Sequence, residues 1–241
     1  MSIPVETVAV PAMVTRLAAG ATLVPVWRNG HGGLTFRTDD GRYIRWGPRH
    51  LETSFAAEAE RIEWAAPFTP VPRVEELGGD ETHEWCVTAA LPGLSAVDPR
   101  WIAEPAVAVR AIGEGLRALH DALPVADCPF DWGVQQRMTD AAARGIRIPD
   151  PLRTPPEIDR LVVCHGDACA PNTLIGADGT WSGHVDLGAL GVADRWADIA
   201  VAAMSTGWNY GPGWENELVE AYGLAPDAAR MAYYQDLWNA T

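Results

Sequence analysis

Residues 162–200 read VVCHGDACAPNTLIGADGTWSGHVDLGALGVADRWADIA. His165-Gly166-Asp167 is followed five residues after the acid by Asn172, and a second acid, Asp186, comes after an apolar–turn–apolar segment. These residue types at this spacing are what moving a phosphoryl group onto a hydroxyl requires. The transfer needs little covalent help, so positioning and charge neutralisation carry the rate. Asp167 is suited to orient the acceptor hydroxyl and take its proton. Asn172 offers an amide oxygen and Asp186 a carboxylate to Mg2+, which takes hard oxygen ligands and keeps several of its waters. Singly, each residue has an ordinary reading as a turn or cap. Jointly, H-G-D-x4-N followed by an aliphatic-Asp-aliphatic-Gly segment is far more specific. His165 beside two acids also admits a metallohydrolase. No H-x-H or H-E-x-x-H accompanies it, however, and a packed loop histidine is the simpler reading.

Around this block the chain divides in character. Segments 22–28, 33–37 and 42–46 are short and rich in strand formers, with turns at 29–33 and at Asp39-Asp40-Gly41, the latter a hairpin signal. Residues 51–66 carry Phe55, Ala59 and Ile62 at helical spacing and stop at Pro67. Strands are expected at 73–77 and 84–89, so the first ninety residues read as a small sheet with one helix. Leu91-Pro92-Gly93 is a break. After it, 99–123 is long, alanine-rich and helical, 136–145 is a second helix, and 148–156 is a proline-rich loop. Short strands at 161–164, 173–175 and 183–185 frame the block, helices are expected at 195–205 and 214–222, and 226–238 closes the chain. The fold class is therefore α+β: a small β-rich N-terminal lobe, 1–90, and a larger, mainly helical lobe, 91–241, with a hinge at about 89–93. This is the plan of a protein-kinase-like fold.

Composition narrows the partners. The 241 residues carry a net charge of −14, which argues against nucleic acid, whose phosphates require a basic face. It suits a cationic small molecule, which an acidic surface concentrates. No apolar run approaches membrane-spanning length and the start has no basic leader, so neither membrane nor export is expected. The scattered cysteines Cys86, Cys128, Cys164 and Cys169 form no C-x-x-C pair, which fits a reduced, cytoplasmic setting. No feature points to a protein partner. All 18 basic residues are arginine, which excludes a P-loop lysine and a Schiff-base lysine.

The catalytic block resembles that of the aminoglycoside phosphotransferases, a branch of the protein-kinase-like fold, and most closely their 3′- and 3″-phosphorylating members. C-H-G-D-A-C-x-P-N and D-L-G-x-L-G-V-A-D-R-W-A-D-I-A carry the likeness, supported by Ala118-Leu119-His120, Cys128-Pro129-Phe130 and Ala89-Ala90-Leu91-Pro92-Gly93. The resemblance implies Asp167 as catalytic base and Asn172 and Asp186 as magnesium ligands. Asp198 would brace the catalytic loop through hydrogen bonds. The turn with Gly30, Gly32 and Gly33 would lie over the nucleotide phosphates, and Ala89 and Leu91 would offer backbone groups to the base of ATP or GTP. Glu58 stands where the family's helix carries the acid that pairs with a phosphate-binding lysine. That lysine is absent, and Arg45 stands in its place. Arginine stays charged and pairs with carboxylate and phosphate alike, so Arg45 is expected to take the lysine's role. Where many relatives place an arginine after D-L-G, this chain has Ala189. Its C-terminal segment offers Asp236, Asn239 and Thr241, with its terminal carboxylate, to the acceptor, where many 3′-type relatives have acids. Trp208, Tyr210, Trp214 and Trp238 are candidates for a sugar-binding wall or for core.

The expected activity is Mg-dependent transfer of the γ-phosphoryl of ATP or GTP to an aminoglycoside hydroxyl, 3′ first and 3″ second, giving antibiotic resistance. The rival readings are a kinase for another small sugar or amino alcohol, and a nucleotide-binding protein with little transferase activity.

Overall fold

A computed structural model of the chain describes residues 8–30, 32–49 and 54–241. It separates into two compact units, one running to Pro67 and including Val71–Leu91, the other made of Phe68–Pro70 and Pro92–Thr241.

The first unit is built on an antiparallel sheet of β1 (Leu23–Arg28), β2 (Leu34–Thr38), β3 (Arg42–Pro48), β4 (Arg73–Gly79) and β5 (His83–Ala89), in the order β1-β2-β3-β5-β4. Register places Phe36 opposite Ile44 and Ile44 opposite Val87. These three therefore share one face, and they pack with Val14, Leu17 and Ala18 of helix α1 (Ala12–Ala18). Sequence reading anticipated only one helix here. α1 has seven residues, Pro11 ahead of it and no side-chain cap, so no local signal announces it; packing on the sheet supplies its stability. Because strand side chains alternate, Arg45, next to Ile44, belongs with Cys86 to the opposite face. α2 (Phe55–Ala65) buries Phe55, Glu58, Ala59, Ile62 and Ala65, a helical stripe. Its first turn is capped twice: Ser54 Oγ accepts from the Ala57 N–H and Glu84 Oε1 from the Phe55 N–H at 3.1 Å. The expected start of this helix, at Leu51, lies outside the described residues.

The second unit begins with β6 (Leu94–Ser95), α3 (Pro99–Ile102) and α4 (Pro105–Ala122). The single helix expected over 99–123 is two, because Pro105 has no N–H to donate and its ring excludes the preceding turn. α5 (Val134–Ala143) follows. Two small antiparallel sheets then carry the motif block: β7 (Leu161–Cys164) with β10 (Gly191–Asp194), and β6 with β8 (Thr173–Ile175) and β9 (Trp181–His184). Helices α6 (Trp196–Tyr210), α7 (Glu215–Tyr222) and α8 (Ala228–Ala240) complete the unit. α6 is its central rod, buried on almost every side as far as Thr206. It runs past the expected end at Ser205 and stops at Gly211, whose φ of +88° breaks the helical turn.

Candidate active site

Two strand ladders assemble the motif residues. β7 and β10 pair Cys164 with Gly191, so the chain leaving β7 as His165-Gly166 meets the segment entering β10. The approach is close enough to dictate the residue. Gly166 sits at φ +84°, and a Cβ placed there would lie 2.2 Å from the Ala189 carbonyl oxygen. β8 and β9 pair Thr173 with His184, and the ladder continues one step further, the Val185 N–H donating to Asn172 O at 3.0 Å. Asn172 is thus set across from Val185, next to Asp186. Asp186 itself adopts φ +62°, a left-handed conformation that aspartate tolerates better than most residues.

Asp167 is the electrostatic centre of this loop. Its Oδ1 is buried without a hydrogen-bond partner. Burial pushes its carboxyl above the ordinary range, and the negative charge of Asp186 adds to this, against opposing contributions from Cys169, His165 and Asn172. The Asn172 Nδ2 donates to Asp167 O at 2.9 Å, which directs the amide oxygen to be the end of that side chain suited to a metal. An unpartnered buried carboxylate oxygen, a second carboxylate that its charge can feel and an amide oxygen match a hard divalent cation. Asp167, Asn172 and Asp186 thus fit magnesium by donor chemistry.

His165 is a framework residue. Its Nδ1 accepts the Asp167 N–H at 3.2 Å and its Nε2 faces Val185 O at 2.9 Å, which sets the Nε2–H tautomer and engages both ring nitrogens. The metallohydrolase alternative loses its ligand to these bonds. Among the described residues, a cluster with ligand-like spacing is His120, Cys164 and Asp198, all buried. His120 already engages Asp198 through Nε2 and the Tyr222 hydroxyl through Nδ1. Burial holds the Cys164 thiol well above its usual range, and with it protonated.

Asp198, on α6, grips the loop in the way the family resemblance implies. Its Oδ2 accepts the His165 N–H at 2.5 Å and the His120 Nε2–H at 3.0 Å, and its Oδ1 accepts the Gly166 N–H at 2.9 Å. Burial alone would raise this carboxyl. The His120 hydrogen bond, the neighbouring histidines and the Gly166 N–H outweigh burial and hold it below the usual carboxylate range. His120 entered the sequence reading only as part of the Ala118-Leu119-His120 likeness, with no role assigned; it is a polar residue on the otherwise apolar face of α4.

In the first unit, Arg45 and Glu58 meet as expected: Nη1 of Arg45 lies 2.6 Å from Oε1 and 2.7 Å from Oε2 of Glu58, with the guanidinium 4.8 Å over the Phe55 ring. The β1–β2 turn is closed by Asn29, whose N–H donates to Gly33 O and whose Oδ1 accepts the Gly33 N–H at 2.7 Å. Gly32 uses φ +84°, and Gly33 would drive a Cβ into the Asn29 amide at 2.5 Å. Gly30 lies in the same turn, and His31 is outside the described residues. Ala89 ends β5, paired with Arg42 on one side and Arg73 on the other, and Leu91 lies two residues beyond the strand.

The acceptor candidates are less uniform. Asp236 and Asn239 are exposed on α8. Thr241 is engaged: its Oγ1 accepts from Arg137 Nη2 at 2.8 Å and its backbone oxygen accepts from Arg144 Nη2. Of the aromatic residues, Trp208 is 59% exposed and borders a groove of about 610 Å³ with Met204 and Glu215, whereas the Tyr210 hydroxyl is committed to Ala96 O at 2.7 Å.

A profile described as the phosphotransferase enzyme family matches residues 28–234. The aminoglycoside 3′-phosphotransferase of Streptomyces fradiae is 38% identical over 225 residues, 80% of this chain and 83% of that protein. The streptomycin 3″-kinase of Streptomyces griseus is 31% identical, over 90% of this chain and 92% of its own. The solved structure of an aminoglycoside phosphotransferase from Streptomyces rimosus in complex with ADP and streptomycin superposes with a TM-score of 0.72 at 28% identity, covering 95% of this chain and 97% of that one.

Proposed function

This chain belongs to the phosphotransferase enzyme family, and from that premise we propose that its residues transfer the γ-phosphoryl of a nucleoside triphosphate to a hydroxyl of an aminoglycoside. It is a kinase of protein-kinase-like fold, an aminoglycoside O-phosphotransferase that confers resistance by adding charge and bulk to the drug. The 38% identity to a 3′-phosphotransferase supports the 3′-hydroxyl as acceptor, and the streptomycin 3″-kinase makes 3″ the second choice.

The half-buried Asp167, with its Oδ1 enclosed and unpartnered in a loop whose backbone is held by Asp198, is the observation that carries this reading. Asp167 orients the acceptor hydroxyl and takes its proton as the O–P bond forms. Asn172 and Asp186 would hold magnesium with Asp167 beside them; when bound, the ion neutralises charge on the phosphates. Asn29 keeps the 29–33 turn closed so that Gly30, Gly32 and Gly33 can approach phosphate with their backbone. Arg45, ion-paired with Glu58, provides the cation that a lysine supplies in relatives, since guanidinium donors serve carboxylate and phosphate together. Ala89 and Leu91 offer backbone groups to the nucleotide base. Asp236 and Asn239 meet the ammonium groups of the acceptor, and Thr241 contributes by fixing the end of α8 against Arg137 and Arg144. The four free thiols suit a reducing cytoplasm.

A coupled assay with kanamycin and streptomycin, with products mapped by NMR, tests the reading. Nucleotide consumption is expected to depend on drug, and Asp167→Asn is expected to lower kcat by about 10²–10⁴-fold with nucleotide binding retained. Turnover with other alcohols alone, or wild-type kcat in Asp167→Asn, would overturn it.

A further inference from the structure

α6 carries a second set of polar residues facing the catalytic loop. Ser205 is fully buried, and its Oγ accepts the Ala170 N–H at 2.9 Å. Asn209 stands behind it: its Nδ2 lies 3.2 Å from Ser205 Oγ and 2.8 Å from Ser205 O. Both lone pairs of the serine oxygen are thus occupied. Asp198, Ser205 and Asn209 are at i, i+7 and i+11, so the latter two each lie within about 20° of Asp198 around the helix axis. On a buried, mostly apolar rod, such a stripe is costly unless its polar groups are used.

The two grips fall on either side of the reactive acid. Asp198 takes the N–H groups of His165 and Gly166, and Ser205 takes that of Ala170. Ala170 also opens the short 3-10 turn Ala170–Asn172, closed by the Asn172 N–H on Cys169 O at 2.9 Å. Cys169 lies between the grips, next to Ala170 in the chain. Two turns of helix, about 10 Å, separate the Asp198 and Ser205 positions, so the loop is strung across a rigid segment.

We infer that Ser205, backed by Asn209, is a positioning residue for phosphoryl transfer, holding the downstream half of the loop so that Asp167 and Asn172 keep a single geometry. It rests on the reading of Asp167 as the base. Ser205 touches no reacting atom; it acts through the Ala170 backbone. A displacement of about 1 Å at a reacting group costs up to about a hundredfold in rate without an equal loss of binding. Loosening this anchor therefore lowers kcat and leaves KM nearly unchanged.

The test uses the full chain. Ser205→Ala is compared with Ser205→Thr, which retains the oxygen, and with Asn209→Ala, which removes only the support and lies at a half-buried position. The readouts are kcat and KM for both substrates, thermal unfolding, and amide hydrogen exchange of the peptide covering residues 165–172 without substrates. Expected for Ser205→Ala are a ten- to hundredfold lower kcat, KM values within about twofold, and at least tenfold faster exchange in that peptide. Asn209→Ala should show a smaller loss of the same kind, and Ser205→Thr should recover most of the rate. Native kcat and native exchange in both alanine variants would overturn the inference. So would a loss in Ser205→Ala that Ser205→Thr shares fully and that tracks global unfolding. Asp167→Asn run alongside separates the two ideas: native turnover there defeats the base assignment, while the exchange readout still reports on the anchor.

Discussion

At Gly166 a single hydrogen is what allows the loop to close. The left-handed backbone there excludes most side chains on strain alone, and the Ala189 carbonyl occupies the space of any Cβ. Gly166→Ala must move backbone on one side or the other. It is expected to abolish turnover and to cost about 2 kcal/mol or more of stability, measured by denaturant unfolding. Arg45 makes the opposite point, for a residue that departs from its family's pattern and still finds the expected partner. Removing it takes the bidentate guanidinium away from the Glu58 carboxylate, which is 8% exposed. Arg45→Ala is expected to weaken nucleotide affinity at least tenfold by calorimetric titration and to lower the melting temperature; unchanged affinity would end its assignment as the lysine's substitute. Both residues could be selected from sequence, Gly166 by motif and Arg45 by the family resemblance. The reason Gly166 is obligatory, a carbonyl 23 residues away in the chain, could not.

At the scale of elements, α6 is where tertiary context reorganises the reading. Its sequence signals a buried helix, but not that its few polar side chains point at one loop. The acid on it, Asp198, has a folded-state pKa below its ordinary value because its donors outweigh burial. For a carboxyl depressed in this way, the stabilisation is fully present above the ordinary pKa, about 3.8, and is lost as pH falls through the lower folded value. Asp198→Ala leaves His120 and two backbone N–H groups without their acceptor and is expected to cost about 3–5 kcal/mol near neutral pH. The deficit relative to wild type should shrink once pH drops below about 3.8, as followed by denaturant unfolding across pH. β10 illustrates why short strands escape sequence reading. Gly191-Val-Ala-Asp194 has poor strand formers at both ends, and pairing with β7, far earlier in the chain, supplies what propensity does not.

Across the whole molecule, charge is the property that acts at long range. A net charge of −14 meeting a polycationic acceptor accelerates encounter and raises the local drug concentration, and salt screens both. The acceptor KM is therefore expected to rise roughly three- to tenfold between about 0.05 and 0.5 M salt, with a smaller or opposite trend for the anionic nucleotide, in initial-rate assays. A flat acceptor KM would mean that the acidity serves solubility alone. What the amino-acid order determined by itself was the chemistry: an acid, an amide and a second acid at spacings that hairpin geometry can bring together, and a division into β-rich and helical halves set by periodicity and proline. Local patterns carry such information because strand alternation, helix repeat and turn preference act within a few residues. What only the folded chain decided was the holding of that chemistry: Ala189 against Gly166, His120 behind Asp198, Ser205 and Asn209 behind Ala170, and α1 laid on the sheet. Those contacts join positions far apart in sequence, and packing and buried hydrogen bonds select them once a core exists to exclude water.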